Sequence, residues 1–368
     1  MKIGIPKEIK DSEYRVGLSP EKIKLLIQNN HEIFVTKDCG IGIGFSNEQY
    51  HNVGAKILAS NQETYNVSEL IIKVKEPQLS ELDYIRKDQI IFGFFHLAAN
   101  KELTLKLLDK QAIIVAYETL EDNKGNLPIL EPMSIIAGKV AIQSACFALQ
   151  KNNFGNGVLI GGVNNIKPCN VLILGGGIVG QNAAKIANGM GANVSILDKS
   201  SVKINELKKT FSDSIKCELF SNKKLNQLLV HTDILIGAIH NAGKATDKIL
   251  QKGNITKLKE NSVFVDVAID QGGCSETSRV TTVTDPVYKS YGVIHYCVAN
   301  IPALVAKTSS LALHDVTFPY IKLLSENNII DLIKTNISFS SAINIYKNKI
   351  VNYSVAESLN LPYTKFNL

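Results

Sequence analysis

The stretch Val171-Leu-Ile-Leu-Gly-Gly-Gly-Ile-Val-Gly180 is a short apolar run that enters three glycines and leaves in a helical pattern. It reads as a strand, a phosphate-binding turn and a helix. Gly175, Gly177 and Gly180 occupy the three glycine positions of G-x-G-x-x-G. The next apolar run, Asn193-Val-Ser-Ile-Leu197, delivers Asp198 about 20 residues beyond the turn, the spacing of an acid that binds a ribose. Gly175 permits the tight turn, Gly177 lets backbone N–H groups approach a pyrophosphate, and Gly180 lets the helix close on the strand. Asp198 accepts hydrogen bonds from a 2′-hydroxyl and repels a 2′-phosphate, which favours NAD over NADP. Lys199 and Lys203 work against that exclusion.

Working outward, 368 residues are too many for one ordinary core, and about 150 residues per domain gives two domains. Hydrophobic residues make up 45% and charged residues 20%, a globular composition, and no apolar run approaches the roughly 20 residues of a membrane span. Neither an extended apolar leader nor a membrane anchor is visible, so a cytoplasmic enzyme is expected. The net charge of +6 comes from scattered lysines without interleaved aromatics, which argues against a nucleic-acid partner. Cys39, Cys146, Cys169, Cys217, Cys274 and Cys297 form no C-x-x-C pair, so they read as reduced thiols. No metal is expected, since no His/Asp/Glu cluster has ligand spacing.

Strand-length apolar runs at Lys2 to Ile5, Glu32 to Val35, Leu70 to Val74, Gln89 to Phe95 and Ala112 to Tyr117 alternate with amphipathic stretches. Their continuous apolar character indicates strands buried on both faces, hence a parallel sheet flanked by helices. Ser19-Pro20-Glu21 announces the first helix with an N-cap and a proline at its first position. Ligands gather at the carboxyl ends of such strands. Those ends carry Arg15, Lys75, His96 and Glu118: one guanidinium, one ammonium, one imidazole and one carboxylate. Each also has a plainer reading, as a solvated loop charge, a strand cap, a core histidine and a partner of backbone groups.

The polar stretch Glu121 to Pro128 reads as a linker, and Glu131-Pro132-Met133-Ser134 opens a long helix. Beyond Asp198, buried runs end at Ile239-His240-Asn241, at Asp270 and at Asn300, and extend the second sheet's carboxyl edge. From about Leu304 helices are expected at Ala306 to His314, Pro319 to Glu326 and Ala342 to Asn348. The fold class is therefore α/β: two Rossmann-like, doubly wound, parallel-sheet domains with a cleft between them. Their expected limits are 1–128 plus 306–368 for a discontinuous substrate domain, and 129–305 for the nucleotide domain.

Several stretches together resemble the alanine dehydrogenase family, whose relatives include the nucleotide-binding subunit of proton-pumping transhydrogenase. They are Ile3-Gly-Ile-Pro-Lys-Glu8 with Arg15, Lys73-Val-Lys-Glu-Pro77, His96-Leu-Ala-Ala99, Ala116-Tyr-Glu-Thr119, Pro132-Met-Ser134 with Ala137-Gly138, Gly175 to Gly180, Val265 to Cys274, and His295-Tyr-Cys-Val-Ala-Asn300. The resemblance implies that Arg15 and Lys75 clamp a substrate carboxylate, that His96 and Asp270 share proton transfer and water orientation, and that Ser134, Asp198, Lys203, Ile239 and Asn300 join the glycines in holding NAD. It implies oxidative deamination of L-alanine to pyruvate and ammonia, with the reverse amination, by a homohexamer. Two alternatives stay open: a transhydrogenase-like nucleotide module, and a diverged NAD-binding protein without amino-acid turnover. The chain departs from the family at His240-Asn241, at Phe220 where a serine is common, and at Phe94-Phe95, which lack a hydroxyl.

Overall fold

The computed structural model describes residues 1–239 and 246–365. In chain order the first half runs β1 (Lys2–Ile5), α1 (Pro20–Gln28), β2 (Glu32–Thr36), α2 (Asn47–Asn52), β3 (Lys56–Leu58), α3 (Asn61–Val67), β4 (Leu70–Ile72), β5 (Ile90–Gly93), α4 (Lys101–Asp109), β6 (Ile113–Ala116) and α5 (Leu130–Ala148). There follow β7 (Asn170–Leu174), α6 (Ile178–Gly189), β8 (Asn193–Asp198), α7 (Ser201–Phe211), β9 (Lys216–Leu219), α8 (Asn222–Leu229), β10 (Ile234–Gly237), α9 (Lys252–Ile255), β11 (Val263–Asp266), β12 (Val287–Ser290) and β13 (Val293–Tyr296). The chain closes with α10 (Ala306–Glu326), α11 (Ile329–Thr335), α12 (Ile337–Ala342), β14 (Ile343–Tyr346), β15 (Lys349–Ile350) and α13 (Tyr353–Leu359).

Two compact units result: Met1–Met133 with Val305–Leu368, and Ser134–Leu304. The division falls inside α5 rather than at residue 128, because the first turn of that helix stays with the N-terminal unit.

The first unit's sheet has the order β15-β14-β6-β5-β4-β1-β2-β3. Its six N-terminal strands are all parallel, and the order reverses at the β1/β4 pair. Ile3, Ile5, Leu70, Ile71, Ile72, Ile91, Phe92, Ile114 and Val115 are almost wholly buried, as strands covered on both faces require. Ser19 caps α1 by accepting from the Lys22 N–H, and Pro20 fills the first helical position.

The second sheet has the order β12-β13-β11-β10-β7-β8-β9 and is parallel except for the β12 edge. Its chain order from β9 inward, 3-2-1-4-5, is that of a dinucleotide-binding sheet, with the reversal at β7/β10. Gly138 of α5 is where that helix meets α6, for a Cβ there would lie 2.2 Å from the Val179 carbonyl oxygen.

The C-terminal segment departs from the sequence expectation twice. Ala306 to His314 and Pro319 to Glu326 are one helix, α10, although Pro319 has no N–H to give to the carbonyl four residues back. Ala342 to Asn348 is not a helix: Ile343 to Tyr346 forms β14, antiparallel to β6, and turns at Lys347 (φ +58°) into β15. β-branched Ile343 and Ile345 favour a strand, and both are buried in it. Short strands β3, β9 and β12 were also not anticipated, since three or four residues of mixed polarity carry little periodicity.

Candidate active site

At the first unit's order reversal, the loop after β1 and the end of β4 lie side by side. Glu8 ties them together. Its Oε1 accepts from the Val74 N–H at 2.6 Å and the Lys75 N–H at 3.4 Å, and its Oε2 lies 3.1 Å from Lys73 Nζ. Lys73 also meets Glu81 Oε1 at 3.1 Å. Burial raises the Glu8 carboxyl to about 7 against the pull of the Lys73 charge. Burial opposes the charge on Lys73, but Glu8, Tyr65 and Glu81 together outweigh it and the ammonium stays firmly protonated.

Two residues on, Lys75 is 5% exposed and has no ion-pair partner among the described residues. A buried cation without an ion pair is costly, so this position is suited to an incoming anion.

Arg15 is 2% exposed and held by Glu13: Nε donates to Oε1 at 2.7 Å and Nη2 to Oε2 at 2.6 Å, while Nη1 meets Met133 Sδ at 3.4 Å. Such a fork fixes the guanidinium plane. From α10, Ser310 Oγ accepts from the Val16 N–H at 3.3 Å, and His314 Nε2 donates to the Val16 carbonyl at 2.7 Å. The Arg15 loop is thus anchored by the chain's distant C-terminal segment.

His96 follows β5 in the left-handed region (φ +50°), a conformation uncommon outside glycine. Its ring stacks on Phe94 at 5.8 Å between centroids and 6° between planes. Its backbone N–H donates to Glu118 Oε1 at 2.6 Å, and the Phe95 N–H donates to both Glu118 oxygens at 3.3 and 3.2 Å. Burial raises the Glu118 carboxyl, with these amides and the Lys75 charge acting in the opposite sense. Glu118 therefore does what its plainer reading allowed: it pairs backbone groups.

In the second unit the three glycines divide their duties. Gly175 has φ +101°, and a Cβ there would sit 2.5 Å from the Ala238 carbonyl oxygen, across the β7/β10 reversal. A Cβ on Gly180 would lie 1.9 Å from the Gly175 carbonyl oxygen, so α6 closes on the turn only with glycine there. A Cβ on Gly177 would meet nothing within 4 Å. Gly177 also begins α6 without a side-chain cap, leaving the first helical N–H groups to an outside acceptor. That open cradle fits a dinucleotide pyrophosphate.

Asp198 ends β8 and is bound to the turn, its Oδ2 accepting from the Gly176 N–H at 2.7 Å and its Oδ1 from the Ser200 N–H at 2.8 Å. The Lys203 stem flanks Gly176, while its ammonium pairs with Glu206 Oε2 at 2.6 Å. Ile239 and Phe220 are partly buried against the core of this unit, and the Phe220 N–H donates to the Asp198 carbonyl at 2.8 Å. Ser134 is partly buried on α5. The His240-Asn241 run lies outside the described residues.

Asp270 is exposed on the 3-10 turn Val267–Gln271 after β11, and its oxygens accept from the Asn300 N–H at 3.1 and 3.3 Å. Asn300, at φ +65°, joins it from the end of the β13 run. Beneath that turn, buried Asp266 accepts from the Ala268 N–H, the Cys274 N–H and the Ser278 hydroxyl. Burial raises its carboxyl.

The sequence reading passed over Glu8, Glu13, Lys73, Met133 and Asp266 as parts of this framework. A signal existed for two of them: an acid three residues beyond an apolar strand, as at Glu8, and an acid inside one, as at Asp266 in Val263-Phe-Val-Asp266.

Known proteins are similar to this chain over nearly its whole length. The family description "Alanine dehydrogenase/PNT, N-terminal domain" matches residues 4–137, and "Alanine dehydrogenase/PNT, C-terminal domain" matches residues 141–353. Alanine dehydrogenase of Halomonas elongata is 40% identical over 365 residues, 99% of this chain and 98% of its own, and that of Staphylococcus haemolyticus is 40% identical over the same shares. The solved structure of an L-alanine dehydrogenase, 38% identical, superposes with a TM-score of 0.92 over 98% of this chain and 99% of its own. A transhydrogenase structure from Sinorhizobium meliloti, 18% identical, shares the fold with a TM-score of 0.80, over 96% of this chain and 100% of its own. From the glycine turn to the strand-end charges, this chain belongs to the alanine dehydrogenase/PNT family.

Proposed function

We propose that the protein catalyses the NAD-dependent oxidative deamination of L-alanine to pyruvate and ammonia, and the reverse reductive amination. The observation that carries this reading is Lys75, a buried ammonium without an ion-pair partner among the described residues, on the same sheet edge as Arg15. Two cations at one edge suit the carboxylate of an amino acid, which a nucleotide-only module has no use for.

Arg15 and Lys75 hold the carboxylate, and charge-assisted bonds of about 1.5–3 kcal/mol each fix the orientation of Cα–H. The His96 imidazole takes a proton from the alanine ammonium, because only the free amine can become an imine. Asp270 orients the water that attacks the imine carbon and releases ammonia. The glycine turn, Asp198, Ser134, Lys203, Ile239 and Asn300 hold the dinucleotide, Asp198 favouring NAD by repelling a 2′-phosphate. When bound, the nicotinamide supplies the hydride acceptor.

The protein assembles as a homohexamer. Phe147, Phe154, Val158, Leu159, Val163 and Ile166 expose between 42% and 72% of their surface within one short stretch, which suits contact with further copies. Its six cysteines are free thiols, which suits a reducing cytoplasm.

Steady-state NADH formation with a panel of L-amino acids tests the substrate. Alanine should give the highest kcat/KM, and a higher value for glycine or serine would reassign it.

A further inference from the structure

We propose that Glu118 is a positioning residue for His96, acting through the Phe95 and His96 amides and independently of its negative charge. This rests on the assignment of His96 to proton transfer. Three observations converge on it. Glu118 Oε1 takes the His96 N–H at 2.6 Å and the Phe95 N–H at 3.3 Å, so a single oxygen gathers both amides. His96 holds a left-handed backbone, which persists only where the surroundings over-determine it. The His96 ring lies flat against Phe94, whose ring meets Tyr117 edge-on at 5.0 Å, one residue before Glu118. The end of β6 thus grips the end of β5 by a carboxylate on the main chain and an aromatic on the side chain, and together they set where the imidazole points.

Glu118→Gln puts one oxygen at the Oε1 position, where it keeps the His96 bond and the 3.3 Å Phe95 bond, while an NH2 replaces the oxygen that accepts from Phe95 at 3.2 Å and the charge beside Lys75 is lost. Glu118→Asp keeps the charge but withdraws the oxygens by about 1.5 Å, one C–C bond. Alanine turnover, NADH affinity and hydrogen exchange over residues 93–99 are measured for both variants beside the unsubstituted protein.

We expect Glu118→Gln to retain kcat within about threefold and to keep the segment protected. Glu118→Asp should lose at least tenfold in kcat, with faster exchange and unchanged NADH affinity and melting temperature. The reverse order, or kcat unchanged in both variants, would overturn the proposal. Should the unsubstituted protein not turn over alanine, the functional reading fails, and the exchange rates still decide whether Glu118 holds this segment through its oxygen.

Discussion

Lys73 and Lys75 stand two residues apart, both buried, and their charges meet opposite surroundings. Lys73 is enclosed by Glu8 and Glu81, so Lys73→Met strands two buried carboxylates and should cost about 3–5 kcal/mol in urea unfolding. Lys75→Met removes a charge that makes no ion pair among the described residues, though it acts on the Glu118 carboxyl. Its stability should fall by less than that of Lys73→Met, while kcat/KM for alanine falls by about 10- to 100-fold, the loss of one charge-assisted bond. A Lys75→Met protein that unfolds as readily as Lys73→Met would assign both lysines to structure alone. Gly180→Ala forces a methyl against the Gly175 carbonyl, and isothermal titration should find NADH binding lost together with at least 1–3 kcal/mol of stability, the usual cost of overpacking. Lys75 and the glycine turn were legible in the sequence because each follows an apolar run. Which of two neighbouring lysines is paired was not, since Glu8 and Glu81 come from separate segments.

Helix α10 lies behind the Arg15 loop, with Ser310 and His314 one turn apart and both bonded to Val16. Burial lowers the His314 ring to about 4, and the His295 ring, bonded to Thr277 and Val293 in the other unit, also to about 4. The ordinary histidine value is 6.5, so between about pH 6.5 and 4 the unfolded rings take up protons that the folded rings refuse. Each histidine therefore contributes a loss of up to about 3 kcal/mol as the pH drops through that window, while Glu8, raised by burial to about 7, contributes in the opposite sense. The difference in urea midpoint between the parent and His314→Gln should shift against the parent as the pH falls from 6.5 to 4; a difference constant with pH would remove His314 from the explanation. None of this was legible in the sequence, since 298 residues separate His314 from Val16. The β14 strand escaped for a different reason: four residues are too few to distinguish a period of two from one of 3.6.

At the scale of the molecule, two parallel sheets repeat one strand order, reversing at β1/β4 and at β7/β10. That architecture was readable because strands buried on both faces leave continuous apolar runs, and because glycines and polar residues follow the strand ends. The first reversal gathers fixed charges and the second an uncapped helix start, so an anionic amino-acid carboxylate and a dinucleotide are assigned to separate units. Sedimentation of the purified protein should give a hexamer, and replacing Leu159 and Ile166 by aspartate should dissociate it; a monomeric parent would contradict the assembly proposed from the 147–166 stretch. The account's central claim is that the first unit makes an amino-acid dehydrogenase of the nucleotide fold. Its most direct test is to supply the protein with NAD and L-alanine and to quantify NADH, pyruvate and ammonia together, beside His96→Ala. Equimolar formation of all three, abolished in His96→Ala while NADH still binds, is the predicted result; NAD binding with no NADH formed from alanine or any other L-amino acid would contradict it.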